Sequence, residues 1–214
     1  MMKYDLLIFD WDGTLLNSAD HIALCMQAAF SDLGMTPPSL EAAKNIIGLG
    51  MVEALQKLDP SLDGEQILRL RERYSEHFFH IPPTRDDLFD GVLDMLEEAA
   101  SRGYKLAIAT GKSRPGMDIV LRQLEMERHF HVVRCADETR SKPHPKMLAE
   151  ILAEVGRPPE RAIMIGDTEY DMLMARNIGM DRLAVSYGVH SRDRLLSHEP
   201  IGCIDTMRDL HGLL

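Results

Sequence analysis

The sequence predicts an α/β protein, a doubly wound parallel sheet with an all-helical insert after its first strand. Three observations carry this. Short apolar runs recur at Leu6 to Phe9, Tyr104 to Thr110, His131 to Cys135 and Ala162 to Ile165, with a weaker one at Leu183 to Ser186. Such near-continuous runs are what strands covered on both faces look like. From residue 90 onward helical patterns alternate with them, the signature of crossover connections. Between residues 17 and 85 the alternation stops, and no strand pattern appears.

The elements follow in order. The first run, Leu6 to Phe9, leads straight into Asp10-Trp11-Asp12-Gly13-Thr14. The insert then shows one helical stripe at Ile22, Met26, Ala29, Phe30 and Leu33, and another at Ile67, Leu70, Tyr74, Phe78 and Ile81. Between them lie Pro37-Pro38, a Glu41 to Ile47 segment and Gly48-Leu49-Gly50, and the chain re-enters the sheet near Pro82-Pro83. Residues 1–16 and 86–214 are therefore expected to form a Rossmann-like core, and residues 17–85 a helical cap. Such a cap would stand over the carboxyl ends of the strands, where a lid belongs. Beyond it, Asp90 is a candidate cap for a helix carrying Val92, Leu93, Leu96, Ala99 and Ala100, stopped by Gly103. Pro115 to Glu127 and Pro145 to Val155 read as crossover helices with proline near the start. Met172 to Asn177 reads as a shorter one ending near Gly179.

Bulk properties exclude several classes. A net charge of -10 over 214 residues argues against nucleic acid or an anionic membrane as the main partner. It leaves room for an anionic substrate, because a bound cation reverses the field locally. No stretch reaches the ~18 apolar residues of a membrane span. The N-terminus meets Asp10 and Asp12 too early for a signal peptide. Cys25, Cys135 and Cys203 form no CxxC pair, which suggests small hydrophobes in a reducing compartment. A cytoplasmic protein is expected. The nine histidines show no paired ligand spacing and read as surface or loop residues, and the fourteen methionines as core fillers.

Chemistry concentrates at the predicted strand ends. Asp10 and Asp12, two residues apart, would point the same way if they continued the strand, and Gly13 lets the backbone swing off behind them. The pair could hold a divalent cation or serve as nucleophile and general acid/base. The next strand ends in Thr110-Gly111-Lys112, which offers a hydroxyl and an approachable backbone N–H. Ser141-Lys142-Pro143 follows the third strand and puts a cation in a loop. The fourth ends in Gly166-Asp167-Thr168-Glu169-Tyr170-Asp171, with two carboxylates about one helical turn apart. Four carboxylates converging with Lys142 would repel one another without a hard cation, and oxygen ligands with room for water favour Mg²⁺ over zinc.

This ordered set of DWDGT, ATG, SKP and GDTEYD resembles the haloacid dehalogenase-like superfamily of phosphohydrolases. The helical insert resembles the C1-type cap of its phosphoglycolate phosphatase-like branch. The resemblance implies that Asp10 is the nucleophile forming an aspartyl-phosphate and Asp12 the general acid/base. It implies Mg²⁺ held by Asp10, the Asp12 carbonyl, Asp167 and Asp171, the last as ligand or support. Thr110, the Gly111 N–H, the Trp11 N–H and Lys142 would hold phosphoryl oxygens. The substrate would be a small phosphorylated metabolite, and the protein a monomer or homodimer. A β-phosphoglucomutase-like mutase, a pyrophosphatase or a 5′-nucleotidase would share these motifs. A non-catalytic binding module would be expected to lack a carboxylate or the lysine, and neither is missing. The second carboxylate, Asp12, argues against dehalogenation, and neither Lys44 nor Lys57 of the cap matches a Schiff-base lysine. Lys112 and Arg114 could touch a leaving group or face solvent.

Overall fold

The first strand, β1 (Leu6–Phe9), is buried along its whole length because it lies inside the sheet. The computed structural model describes residues 3–212. Six parallel strands run in the order β3-β2-β1-β4-β5-β6, where β2 is Lys105–Thr110, β3 Val132–Cys135, β4 Ala162–Gly166, β5 Asp181–Val185 and β6 Gly202–Ile204. The chain builds outward from β1 through β2 to β3, then returns to β4 on β1's other edge. That reversal opens a crevice at the carboxyl ends of β1 and β4.

Side-chain alternation divides the strands between two cores. Leu7, Phe9, Leu106, Ile108, Ile163 and Ile165 face one side. There they meet Met95 and Leu96 of α5 (Val92–Ser101) and Val120 and Leu124 of α6 (Arg114–Leu124). Leu6, Ile8, Ala107 and Met164 face the other, against Leu148 and Ile151 of α7 (Lys146–Val155) and Met174 of α8 (Glu169–Arg176). A short α9 (Arg192–Leu196) separates β5 from β6.

Between β1 and β2 the chain forms α1 (Ala19–Asp32), α2 (Leu40–Asn45), α3 (Met51–Leu58) and α4 (Gly64–His80) before it reaches α5. Met26, Phe30, Ala43, Leu55, Ile67 and Leu70 make a core of their own. Ile22 and Phe78 belong instead to the sheet's cluster, so α1 and α4 are the seam between the two packing units. The α4 start is fixed by a capping box, in which Asp63 accepts from the Gln66 N–H and Gln66 accepts from the Asp63 N–H.

Several expectations needed correction. Asp90 is not the α5 cap: Gly91 holds that place at φ 80°, and the Asp90 carboxylate pairs with Arg208 at 3.0 Å instead. Ile81 leaves the α4 stripe, because the helix stops at His80 and the side chain is exposed. The helix expected at Pro115 to Glu127 ends at Leu124, where Glu125 turns left-handed at φ 54°. Helix α8 starts at Glu169 rather than Met172, capped by Thr168. His190 is not a surface residue but 3 % exposed. Neither α3 nor β6 was expected: α3 follows two glycines closely, and β6 is only three residues long.

Candidate active site

The carboxyl ends of β1 and β4 gather the acidic residues. Asp10, the first residue past β1, is 1 % exposed, and Asp167, the first past β4, is fully buried. Asp171 reaches the same point from the first turn of α8, because the capping box with Thr168 turns it back toward the strand end. Its Oδ2 accepts from the Thr168 hydroxyl at 2.6 Å. One oxygen from each of Asp10, Asp167 and Asp171 lies within 4.8 Å of the others.

Lys142 enters this cluster from the loop before α7 and is itself buried. Its Nζ lies 2.7 Å from both Asp10 Oδ1 and Asp171 Oδ1. Burial opposes its charge, but the two carboxylates outweigh burial and raise its pKa above the ordinary lysine range. Asp10 is driven well above the usual carboxylate range, first by burial and then by Asp171, against the pull of Lys142. Asp167 is pushed up to about 7, again by burial and then by Asp171. One lysine is too little positive charge for three buried carboxylates.

Asp167 is clamped on every side. The Thr14 hydroxyl donates to Oδ1 and the Val189 N–H to Oδ2, both at 2.8 Å. A Cβ on Gly13 would come within 2.2 Å of Asp167 Oδ2, and Gly13 sits at φ 82°, so only glycine closes this turn. Asp10 differs. Its Oδ1 accepts the Trp11 N–H at 2.6 Å as well as facing Lys142, while Oδ2 is buried with no hydrogen-bond partner among the described residues.

The remaining expected residues fall around this centre. Asp12 turns its carboxylate away from the other three, with Oδ1 accepting from the Ser18 hydroxyl at 2.6 Å and Oδ2 facing Lys112 Nζ at 3.1 Å. Thr110 is buried at the end of β2, and its hydroxyl accepts the Lys112 N–H at 3.2 Å. Gly111 lies against the insert: a Cβ there would meet the Leu49 carbonyl oxygen at 2.4 Å. The Trp11 N–H, expected to face phosphate, is given to Asp10 here, and the indole is core, edge-on to Phe130 at 6.3 Å.

A cavity of about 360 Å³ opens above Asp10, Asp12 and Gly111 and is walled largely by α1, α4 and the 48–54 segment. Ser18 as a partner of Asp12 was not anticipated, and Ser141, named only as the neighbour of Lys142, was not expected to contact the insert. Ser141 Oγ accepts the Gly50 N–H at 2.7 Å and ties the insert to the Lys142 loop. The Tyr170 hydroxyl of α8 makes a second tie, donating to the Asn45 carbonyl at 2.8 Å and accepting from Lys57 Nζ at 2.7 Å. Partners so distant in sequence carry no local signal. Lys112, by contrast, adjoins the Thr110-Gly111 strand end, and its position alone marked it.

An acidic cluster with a buried lysine, at the crevice where a parallel sheet reverses its strand order and beside a walled cavity, lies where open α/β folds carry out their chemistry. The family model for haloacid dehalogenase-like hydrolases matches residues 7–185, and the chain belongs to that family. Among its relatives, the protein named "Probable phosphatase IndB" of Dickeya dadantii is 31% identical over 211 residues, which is 97% of this chain and 92% of the relative. "Pyrophosphatase PpaX" of Bacillus cereus is 29% identical over 217 residues, 100% and 97% of the two chains. In structure, the haloacid dehalogenase-like hydrolase SP0104 of Streptococcus pneumoniae superposes with a TM-score of 0.82 at 26% identity, covering 100% and 99% of the two chains. A Pseudomonas syringae hydrolase shares the fold with a TM-score of 0.86 at 22% identity, covering 97% and 96%.

Proposed function

We propose that this hydrolase cleaves small phosphomonoesters through an aspartyl-phosphate on Asp10, with the helical segment 17–85 acting as a cap over the core formed by 1–16 and 86–214. The observation that carries the reading is Asp10 itself: one oxygen is fixed by Lys142 and the Trp11 N–H, the other is unpartnered. A carboxylate held this way is oriented for in-line attack on phosphorus. Phosphate esters also suit a site rich in fixed charge, because phosphoryl transfer depends mainly on positioning and charge stabilisation.

The donors fit Mg²⁺. Three buried carboxylates against one lysine leave uncompensated negative charge, all the donors are oxygen, and Asp10 Oδ2 lacks a partner among the described residues. Asp10, the Asp12 carbonyl and Asp167 would hold the ion, with Asp171 as a further ligand or as the support of Lys142. When bound, it supplies Lewis-acid stabilisation of the phosphoryl oxygens. Lys142, the Thr110 hydroxyl and the Gly111 N–H orient the transferring group. Asp12 then gives a proton to the leaving oxygen and takes one from the water that hydrolyses the phosphoenzyme. Ser18 and Lys112 hold its carboxylate for that exchange. The cap excludes bulk water from the cavity.

The test is phosphate release from p-nitrophenyl phosphate and a panel of phosphometabolites, with Mg²⁺ or EDTA, for the native protein and Asp10→Asn. Metal-dependent turnover that disappears in a folded variant is expected. Undiminished turnover in Asp10→Asn would overturn the nucleophile. Pyrophosphate belongs in the panel, because the PpaX relative matches this chain from end to end.

A further inference from the structure

We infer that the ester fitting this site has an apolar, ring-bearing leaving group that ends in an anionic or carbonyl acceptor. The inference deepens the phosphomonoesterase reading and rests on it. The cavity of about 360 Å³ lies within the range that encloses drug-sized ligands. A two-carbon acid or a second phosphate would leave most of it to water. Its wall is mostly apolar: Ile22 and Met26 of α1, Leu49 before α3, and Tyr74, Phe78 and Phe79 of α4. Such a wall cannot replace the hydrogen bonds a polar leaving group gives up in leaving water, whereas an apolar one gains by entering. The aromatic side chains are ordered for a ring. Tyr74 and Phe78 stack at 5.8 Å, and Phe79 meets Phe78 edge-on at 5.1 Å.

Arg71 gives the cavity a far end. It lines the same space three residues before Tyr74 and seven before Phe78, so the three share one helix face. Phe78 marks the reactive end, because Lys112 Nζ sits 4.2 Å from its ring and 3.1 Å from Asp12 Oδ2. Seven residues at the α-helical rise put Arg71 about 10 Å further on. Arg71 has no ion pair or hydrogen bond among the described residues. Of the other charged groups lining the cavity away from the catalytic end, Asp137 accepts the Arg114 N–H and Glu53 is exposed. A guanidinium left free beside an aromatic wall matches a planar acceptor, such as a carboxylate or a conjugated carbonyl.

The experiment compares ethyl, benzyl and 4-carboxybenzyl phosphate, all esters of primary alcohols, so that leaving-group acidity is nearly constant. Benzyl phosphate is expected to exceed ethyl phosphate in kcat/KM by roughly tenfold to a hundredfold. Ser75→Phe, which fills the cavity from α4, narrows that ratio. The carboxyl group adds about a further tenfold, a gain lost in Arg71→Gln. Equal turnover of ethyl and benzyl phosphate, or phosphoglycolate or pyrophosphate outrunning both, overturns the inference. A carboxyl effect that survives Arg71→Gln overturns the role of Arg71. If no ester is hydrolysed, the phosphomonoesterase reading fails, and calorimetry of ethylphosphonate and benzylphosphonate with the Mg²⁺-loaded protein still decides the cavity. Preference for benzylphosphonate sustains it, and equal affinity or no binding overturns it.

Discussion

The two sides of the cavity are built on opposite principles. Beneath Asp10, which lines the cavity, Asp167, Asp171 and Lys142 are buried and held by several short contacts each. Across the cavity, α1 and α4 offer apolar and aromatic surface and Arg71, unpaired among the described residues. The first side can position charge but cannot choose among leaving groups. On the proposed reading, the second is the side that chooses among leaving groups. Chemistry and selectivity are separable by mutation on that reading, and the contacts that join the two sides include Gly50 to Ser141, Tyr170 to Asn45 and Lys57, Arg194 to Asn45, Lys112 over Phe78 and Gly111 under Leu49.

The largest expected effect breaks the charged side. Lys142→Met leaves Asp10 and Asp171 buried without their cation, and should cost about 3–5 kcal/mol of stability in the metal-free protein. Urea unfolding measures it, and added Mg²⁺ should restore part of the loss by binding the folded state. A variant as stable as the native protein would mean that the cluster stays protonated and Lys142 is dispensable.

The next prediction targets the junction. In Gly111→Ala the new methyl group would meet the carbonyl oxygens of Leu49 and Gly48 at 2.4 and 2.8 Å, forcing the 48–50 loop off the strand end. Turnover should fall by about a hundredfold, as for a misplacement of about 1 Å, while the thermal midpoint changes little. If kcat/KM holds, the two sides do not need this contact.

A smaller effect separates the active site from its surroundings by pH. His190 is held down to about 4, mainly by burial and then by Arg194, while its Nδ1 accepts the Glu169 N–H at 3.0 Å. The unfolded chain takes up a proton near 6.5 that the folded chain refuses until about 4. The contribution of His190 is therefore complete above 6.5 and is lost as pH falls across that interval. His190→Asn should flatten the pH dependence of the urea midpoint there. An unchanged slope would mean that His190 titrates normally in the fold.

The smallest effect is expected at Asp90 and Arg208, an exposed pair far from both sides of the cavity. Arg208→Ala should leave the urea midpoint and kcat/KM within experimental scatter, since solvent screens such pairs. A measurable loss at either readout would show that the C-terminal turn supports the sheet more than its exposure suggests.

The core's strands were legible because burial on both faces writes an unbroken apolar run, as in Leu6 to Phe9 and Ala162 to Ile165. The ends of elements were less so. Asp90 and Gly91 both suit a helix start; Gly91 takes it in a left-handed conformation, and Asp90 instead pairs with Arg208, 118 residues away. His190 lies in a loop, as expected, but it is buried there, and nothing beside it in sequence marks its cover, which includes Tyr170, ring to ring at 5.4 Å.

The sequence by itself determined the acidic strand ends and their order along the chain, because each motif is local: a strand, its last apolar residue, then the functional side chain. It also determined that residues 17–85 are helical, since 3.6-residue periodicity needs no partner to be read. Tertiary structure decided what those pieces meet. Lys142 against Asp10 and Asp171, and Ser18 and Lys112 against Asp12, join residues across turns, helices or the whole insert. Such contacts are set by how packed layers register against one another, and no periodicity within one segment encodes that distance.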